Sequence, residues 1–137
     1  MKRKAPTLPA LVKKLDTIFS RFVRMTSADN CGTVECITCK KPLHWKDAHA
    51  GHFVSRRHMA LRWSVNNVHA QCCGCNTFNG GALDEYSAYI IDTYGMKTFE
   101  SLLQLKRSTK KWTRQELTEM ITVYTLKVNE LARARTA

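Results

Sequence analysis

The chain lacks any apolar run near the roughly 20 residues that a membrane helix requires, and no continuous apolar segment follows the basic start Met1-Lys2-Arg3-Lys4. A membrane span and a secretory leader are therefore not expected. Acidic residues are scarce, 11 Asp and Glu against 22 Lys and Arg, and the formal charge is +11. Such an excess points to a polyanionic partner, and nucleic acid is the commonest one for a protein of this size. Internal repeats and low-complexity tracts are missing, so 137 residues make one domain or a small core with helical additions. The alternation of strand and helix around a single CxxC that marks a thioredoxin-like site is missing as well.

What the chain does have is two CxxC pairs, Cys36-Ile37-Thr38-Cys39 and Cys72-Cys73-Gly74-Cys75. A two-residue spacer lets both sulfurs of a pair converge on one ion, and four thiolates suit tetrahedral zinc. Paired cysteines also build disulfide frameworks, but only in an oxidising compartment. Cys36, Cys39, Cys72 and Cys75 are thus the expected ligands of a structural Zn²⁺. Cys73 should point away from the ion. Cys31, five positions before Cys36, is a weaker alternative ligand.

The basic residues are spread along the chain. Lys2, Arg3 and Lys4 lead, Lys13, Lys14, Arg21 and Arg24 follow, and Lys106, Arg107, Lys110 and Lys111 form a late cluster. Between the cysteine pairs lie Arg56, Arg57 and Arg62, the candidates for clamping phosphates.

Periodicity predicts an amphipathic helix over 7–25, with Leu8, Leu11, Leu15, Ile18, Phe19 and Phe22 on one face and Thr7 as N-cap. A zinc knuckle followed by a short hairpin fits 36–53, and a basic irregular loop fits 54–66. The second cysteine turn should open a short helix that Gly80-Gly81 ends. Leu83, Tyr86, Ile90 and Tyr94 share a helical face, with Gly95 after the helix end, and Met96, Phe99, Leu102 and Leu103 mark another helix. Thr113-Arg114-Gln115-Glu116 reads as a capping box for a last helix whose stripe is Leu117, Met120, Ile121, Tyr124, Val128 and Leu131. That stripe suits a core, with a dimer interface as the second reading. The expected fold is α+β and mostly helical, divided into a basic N-terminal helix (1–30), a zinc-bound core (31–82) and a C-terminal helical region (83–137) for dimerisation or DNA binding.

A zinc ion held by four thiolates has no open position, so chemistry must come from elsewhere. Ala48-His49-Ala50-Gly51-His52-Phe53 followed by Asn67 and by Asn76 resembles the HNH, or ββα-metal, nuclease motif. The run Cys36-Ile37-Thr38-Cys39, Ala50-Gly51-His52-Phe53, Leu61-Arg62-Trp63, Asn67-Val68-His69-Ala70-Gln71-Cys72, Cys75-Asn76 and Tyr94-Gly95 is similar to the NinG/Rap recombination endonucleases of lambdoid phages. The resemblance covers about residues 36–95. It implies an HNH-like core and metal-dependent cleavage of branched DNA, such as Holliday junctions and D-loops, in the host cytoplasm.

On that resemblance His52 is the general base and Asn67 holds its ring by a hydrogen bond. Many HNH enzymes bind a single catalytic ion, Mg²⁺ or Mn²⁺, through an Asp or His just before the base, but that residue here is Gly51. His49 is the nearest substitute, Asp47 the next, and Asn76 the helix-side ligand. His69 is expected to pack beside the zinc turn. Trp45 and Trp63 read as core anchors, with base stacking open to Trp63. Branched substrates have near two-fold symmetry and need two cuts, which suggests a homodimer. The competing reading is a zinc-ribbon module that binds DNA without cutting it, for which the cysteines and the charge suffice.

Overall fold

The computed structural model describes residues 3–136, so Lys2 of the leading basic group lies outside the described residues. The chain is a mixture of helix and strand, about half helical rather than mostly so. Helix α1 runs Leu8–Thr26, and Thr7 caps it by accepting the Ala10 amide at 3.2 Å. Strands β1 (Thr33–Glu35) and β2 (Pro42–His44) pair antiparallel, and the first CxxC forms the turn between them. A 3₁₀ turn, Trp45–Asp47, leads into β3 (His49–His52). Across the loop of residues 53–67, β3 pairs antiparallel with β4 (Val68–Gln71). The first knuckle is therefore itself a hairpin, and the second hairpin closes through the long basic loop rather than before it.

After β4 the second cysteine turn continues into a π-helical turn, Gly74–Phe78. Helices α2 (Leu83–Tyr94), α3 (Met96–Leu105) and α4 (Arg114–Thr136) complete the chain. Gly95 sits at φ +93°, a left-handed conformation that costs glycine nothing, and joins α2 to α3 without a linker. The capping box of α4 is present in both directions: Thr113 Oγ1 accepts from the Glu116 amide and Glu116 Oε1 accepts from the Thr113 amide, each at 3.1 Å.

The β3–β4 hairpin is the middle layer. Side chains alternate across a strand, so Ala50 and His52 with Val68 and Ala70 take one face, and His49 and Gly51 with His69 and Gln71 take the other. On the first face α1 and α4 pack together: Leu11, Leu15, Phe19 and Val23 meet Leu117, Ile121, Trp63 and Val68. Leu8 departs from the predicted stripe and is 45% exposed, because the helix start overhangs this core. The stripe of α4 is occupied by α1, so it serves the core reading. On the second face Tyr86, Ile90 and Leu102 close over Val54 and Leu61. No helix among the described residues is long and apolar enough to cross a membrane.

Candidate metal centre and adjoining cleft

The two CxxC turns approach from opposite sides. Backbone hydrogen bonds shape each: Lys40 N–H to the Cys36 carbonyl (2.8 Å) in the first, and Asn76 N–H to the Cys72 carbonyl (3.0 Å) in the second. Lys40 holds φ +67°, a conformation that glycine adopts more cheaply. The ligand atoms of Cys36, Cys39, Cys72 and Cys75 all lie within 4.8 Å of one another, and the sulfurs of Cys39 and Cys72 are 3.7 Å apart. Tetrahedral Zn–S bonds of about 2.3 Å require sulfurs about 3.8 Å apart. The four cysteines can thus hold a metal such as zinc. Cys31 and Cys73 are exposed and outside the cluster.

The thiols show why a cation belongs there. Burial raises the Cys36 thiol, but the Thr38 hydroxyl and the backbone amides of Cys72, Cys39 and Thr38 outweigh it and bring the pKa down to about 6. At Cys75 the Thr38 hydroxyl pulls down, yet burial and the neighbouring sulfurs prevail and push it up to about 12. One site cannot hold four thiolates without a compensating charge.

His52 ends β3 and is half-buried. Its Nε2 lies 2.9 Å from the Arg62 carbonyl, which can only accept, so Nε2 carries the proton and Nδ1 is the acceptor of the neutral ring. Burial lowers its pKa, against the opposing pull of that carbonyl and of Asp16. His52 lines an open cleft of about 570 Å³ together with Ser55, Arg57, His58, Asp84 and Lys106. Arg57 and Lys106 bring cations to that cleft, and His52 also borders a smaller cavity of about 120 Å³ with Asp16, Ser20, Arg56 and Arg62. Asp84 and Lys106 were not singled out as site residues from the sequence, since only the folding of α2 and α3 against the loop brings them to His52.

Asn67 is fully buried but does not hold the His52 ring, as the sequence suggested. Its Nδ2 donates to the carbonyls of Val54 (2.9 Å) and Leu61 (3.1 Å), and its Oδ1 accepts from the Val54 amide (2.8 Å). It acts one step back, pinning the loop whose Arg62 carbonyl orients the ring.

His49 and His52 lie on opposite faces of β3, because three residues along a strand reverse the side. His49 meets Asn76 instead, with 3.0 Å between its Nδ1 and the Asn76 Nδ2. Asp47 is exposed at the end of the 3₁₀ turn. Among the described residues the thiolate cluster is the one group of three or more His, Cys, Asp or Glu ligands near enough to share an ion. Asp47 therefore joins no such group with His49.

Of the arginines, Arg56 and Arg57 are exposed. Arg62 is instead committed to Asp16 through Nε–Oδ1 (2.9 Å) and Nη2–Oδ2 (2.5 Å), and Trp63 Nε1 donates to the same carboxylate (2.9 Å). This bidentate pair fastens the loop to α1 and leaves Arg62 poorly placed as a phosphate clamp. Trp63 is buried in the core, and Trp45 is half-buried under Arg24, whose guanidinium stands 5.5 Å from its ring centroid.

His69 is buried among Tyr86, Tyr89 and Tyr94 and lines a cavity with Ile37 of the first cysteine turn. Tyr86 donates to the Gly51 carbonyl at 2.7 Å, so it accepts from His69 Nδ1–H (2.9 Å), while His69 Nε2 accepts from the Tyr94 hydroxyl (2.7 Å). Burial drives the His69 pKa down to about 4 and holds the Tyr86 phenol well above its ordinary range, so both stay neutral. The chain of bonds ties α2 to the residue just before His52.

A family model described as "Bacteriophage Lambda NinG protein" matches residues 1–134. The chain is 25% identical over 127 residues to "Protein ninG" of Escherichia phage lambda, covering 90% of this chain and 58% of that protein. It is also 25% identical over 127 residues to "Protein ninG" of Salmonella phage P22, covering 90% of this chain and 59% of the relative. The chain thus spans less than two thirds of the length of these relatives. No solved structure matches it. With nearly its whole length matched by the family model, the chain belongs to the NinG family of phage proteins.

Proposed function

We propose that this protein is an HNH-type, metal-dependent DNA endonuclease that cuts branched recombination intermediates in the bacterial host cytoplasm. The observation that carries the reading is the His52 ring, fixed by a backbone carbonyl on one nitrogen and free to accept a proton on the other, at the edge of a cleft with Arg57, His58 and Lys106. A passive zinc module has no need of that arrangement. His52 Nδ1 takes a proton from water, the water oxygen forms a bond to phosphorus, and the bond from phosphorus to the 3′ oxygen breaks, that oxygen taking a proton from solvent. A bound Mg²⁺ or Mn²⁺ supplies Lewis-acid stabilisation of the phosphate and of the leaving oxygen. Arg57 and Lys106 hold flanking phosphates, and the lowered pKa keeps His52 unprotonated at neutral pH. Two cuts on a near two-fold substrate call for a homodimer.

The test is cleavage of a labelled four-way junction and a matched duplex with Mg²⁺, Mn²⁺ or EDTA, for wild type and His52→Ala. Metal-dependent junction cutting that falls by about 10² or more in the variant, with binding retained, supports the reading. Tight binding without cutting under any metal points to the non-catalytic zinc-ribbon module, which the cysteine cluster and the charge would equally serve.

A further inference from the structure

Phe78 ends the π turn that follows the second cysteine pair, and it is 84% exposed. It belongs to none of the apolar clusters of the described residues. The turn beneath it is held firmly: Asn79 N–H donates to the Gly74 carbonyl (2.9 Å), Gly81 N–H donates to the Cys75 carbonyl (2.8 Å), and Cys75 is one of the four thiols gathered to hold a metal. A ring on such a base meets a partner without the ordering cost of a loose loop.

Two residues on, Gly80 lines the cleft that holds His52, so at most about 7 Å of backbone separates Phe78 from its rim. Part of that cleft is apolar. Leu83 (48% exposed), Leu103 (41% exposed) and the half-buried Phe99 line it together with two exposed cations, Arg57 and Lys106. Phosphates use the cations but gain nothing from the apolar wall, and a paired base has its faces covered by its neighbours in the stack. A nucleotide whose base has left the stack uses both, with the ring on apolar and aromatic side chains and the phosphates on the cations. Asp84, the one carboxylate of the lining among the described residues, repels a phosphate but can accept from the exocyclic amino group of a base.

We infer that Phe78 stacks on an unpaired base at a DNA branch point, with the adjoining nucleotide lodged against Leu83, Phe99 and Leu103 and its phosphates on Arg57 and Lys106. A linear duplex offers an open base face only at its ends, so the contact selects branched DNA. The inference deepens the nuclease reading by naming what the cleft recognises, and it rests on that reading.

The experiment measures the affinity of the zinc-loaded protein, without Mg²⁺ or Mn²⁺, for a DNA fork with unpaired arms and for a matched linear duplex, comparing wild type, Phe78→Ala and Phe78→Tyr. An abasic site is placed in turn at each unpaired nucleotide beside the branch. Phe78→Ala should weaken fork binding about fivefold or more and duplex binding less than about twofold, with zinc retained, and Phe78→Tyr should restore the fork affinity. At one position the abasic site should cost the wild type about fivefold and Phe78→Ala almost nothing, a coupling that a structural role for the ring would not produce. Losses that simply multiply at every position, or equal losses on fork and duplex, overturn the inference. So does a fall in molecular mass on Phe78→Ala without that coupling, which makes the ring a contact between copies of the chain. Base coupling at Phe78 in a protein that cuts no branched DNA with Mg²⁺ or Mn²⁺ upholds the contact and sinks the nuclease reading. Cutting without coupling does the reverse.

Discussion

Replacing Tyr86 with Phe removes one oxygen from the interior and leaves the ring in place. That oxygen donates to the Gly51 carbonyl (2.7 Å), lies 3.3 Å from the Asn67 carbonyl, and accepts from His69 (2.9 Å). The Asn67 carbonyl keeps a partner in the Phe53 amide, so its loss is slight. His69 fares worse, because either tautomer leaves one ring nitrogen facing an apolar edge. An orphaned buried group costs about 1–3 kcal/mol and a lost neutral bond about 1 kcal/mol, which together give about 3 kcal/mol. For a domain of this size that lowers Tm by roughly 10 °C. Urea unfolding of the zinc-saturated protein, followed by tryptophan fluorescence, measures the change as a shift in midpoint at constant slope. Tyr94→Phe removes one bond from a half-buried ring and should cost about 1 kcal/mol. A Tyr86→Phe change below about 0.5 kcal/mol, or a larger loss at Tyr94 than at Tyr86, would refute the relay as a stabilising element.

His69 also sets an acid response. Its folded pKa of about 4 lies below the unfolded value near 6.5, so the unfolded chain binds the extra proton between them. Stability is fully present above pH 6.5 and falls as pH drops toward 4, by about 3 kcal/mol in all. His69→Gln should flatten that slope relative to wild type in urea melts at pH 7, 6 and 5. Removing zinc with a chelator, or Cys75→Ser, should abolish one equivalent of bound metal and unfold the two knuckles, seen as a lower Tm and loss of amide protection around residues 36–44 and 71–81. Asp16→Asn weakens the bidentate tie to Arg62, and a loss of about 2 kcal/mol in the same melts is expected. Lys106→Ala and Arg57→Ala should each reduce the salt slope of DNA affinity by about 1, whereas Arg62→Ala should not, because Arg62 is engaged by Asp16.

The sequence by itself determined the parts whose physics is local. CxxC spacing fixes which sulfurs can share an ion, and the structure gathers those four. Helical periodicity and caps located α1 almost to the residue and α4 at its start, because Thr7 and the Thr113–Glu116 box satisfy amides within four positions of themselves. The run of short motifs between Cys36 and Gly95 carried the resemblance to the NinG family, to which the chain belongs. What only the tertiary structure decided are pairings between distant residues. Asp16 claims Arg62 across 46 positions, α1 covers the stripe of α4, and Tyr86 reaches Gly51 across 35. Strand parity set His49 and His52 on opposite faces, a consequence that needs the knowledge that residues 49–52 form a strand. Gly51 reads in the sequence as a missing ligand. In the fold it is the clearance for Gln71, and that shows only when β4 is laid beside β3 in register and the carboxamide is placed over the glycine.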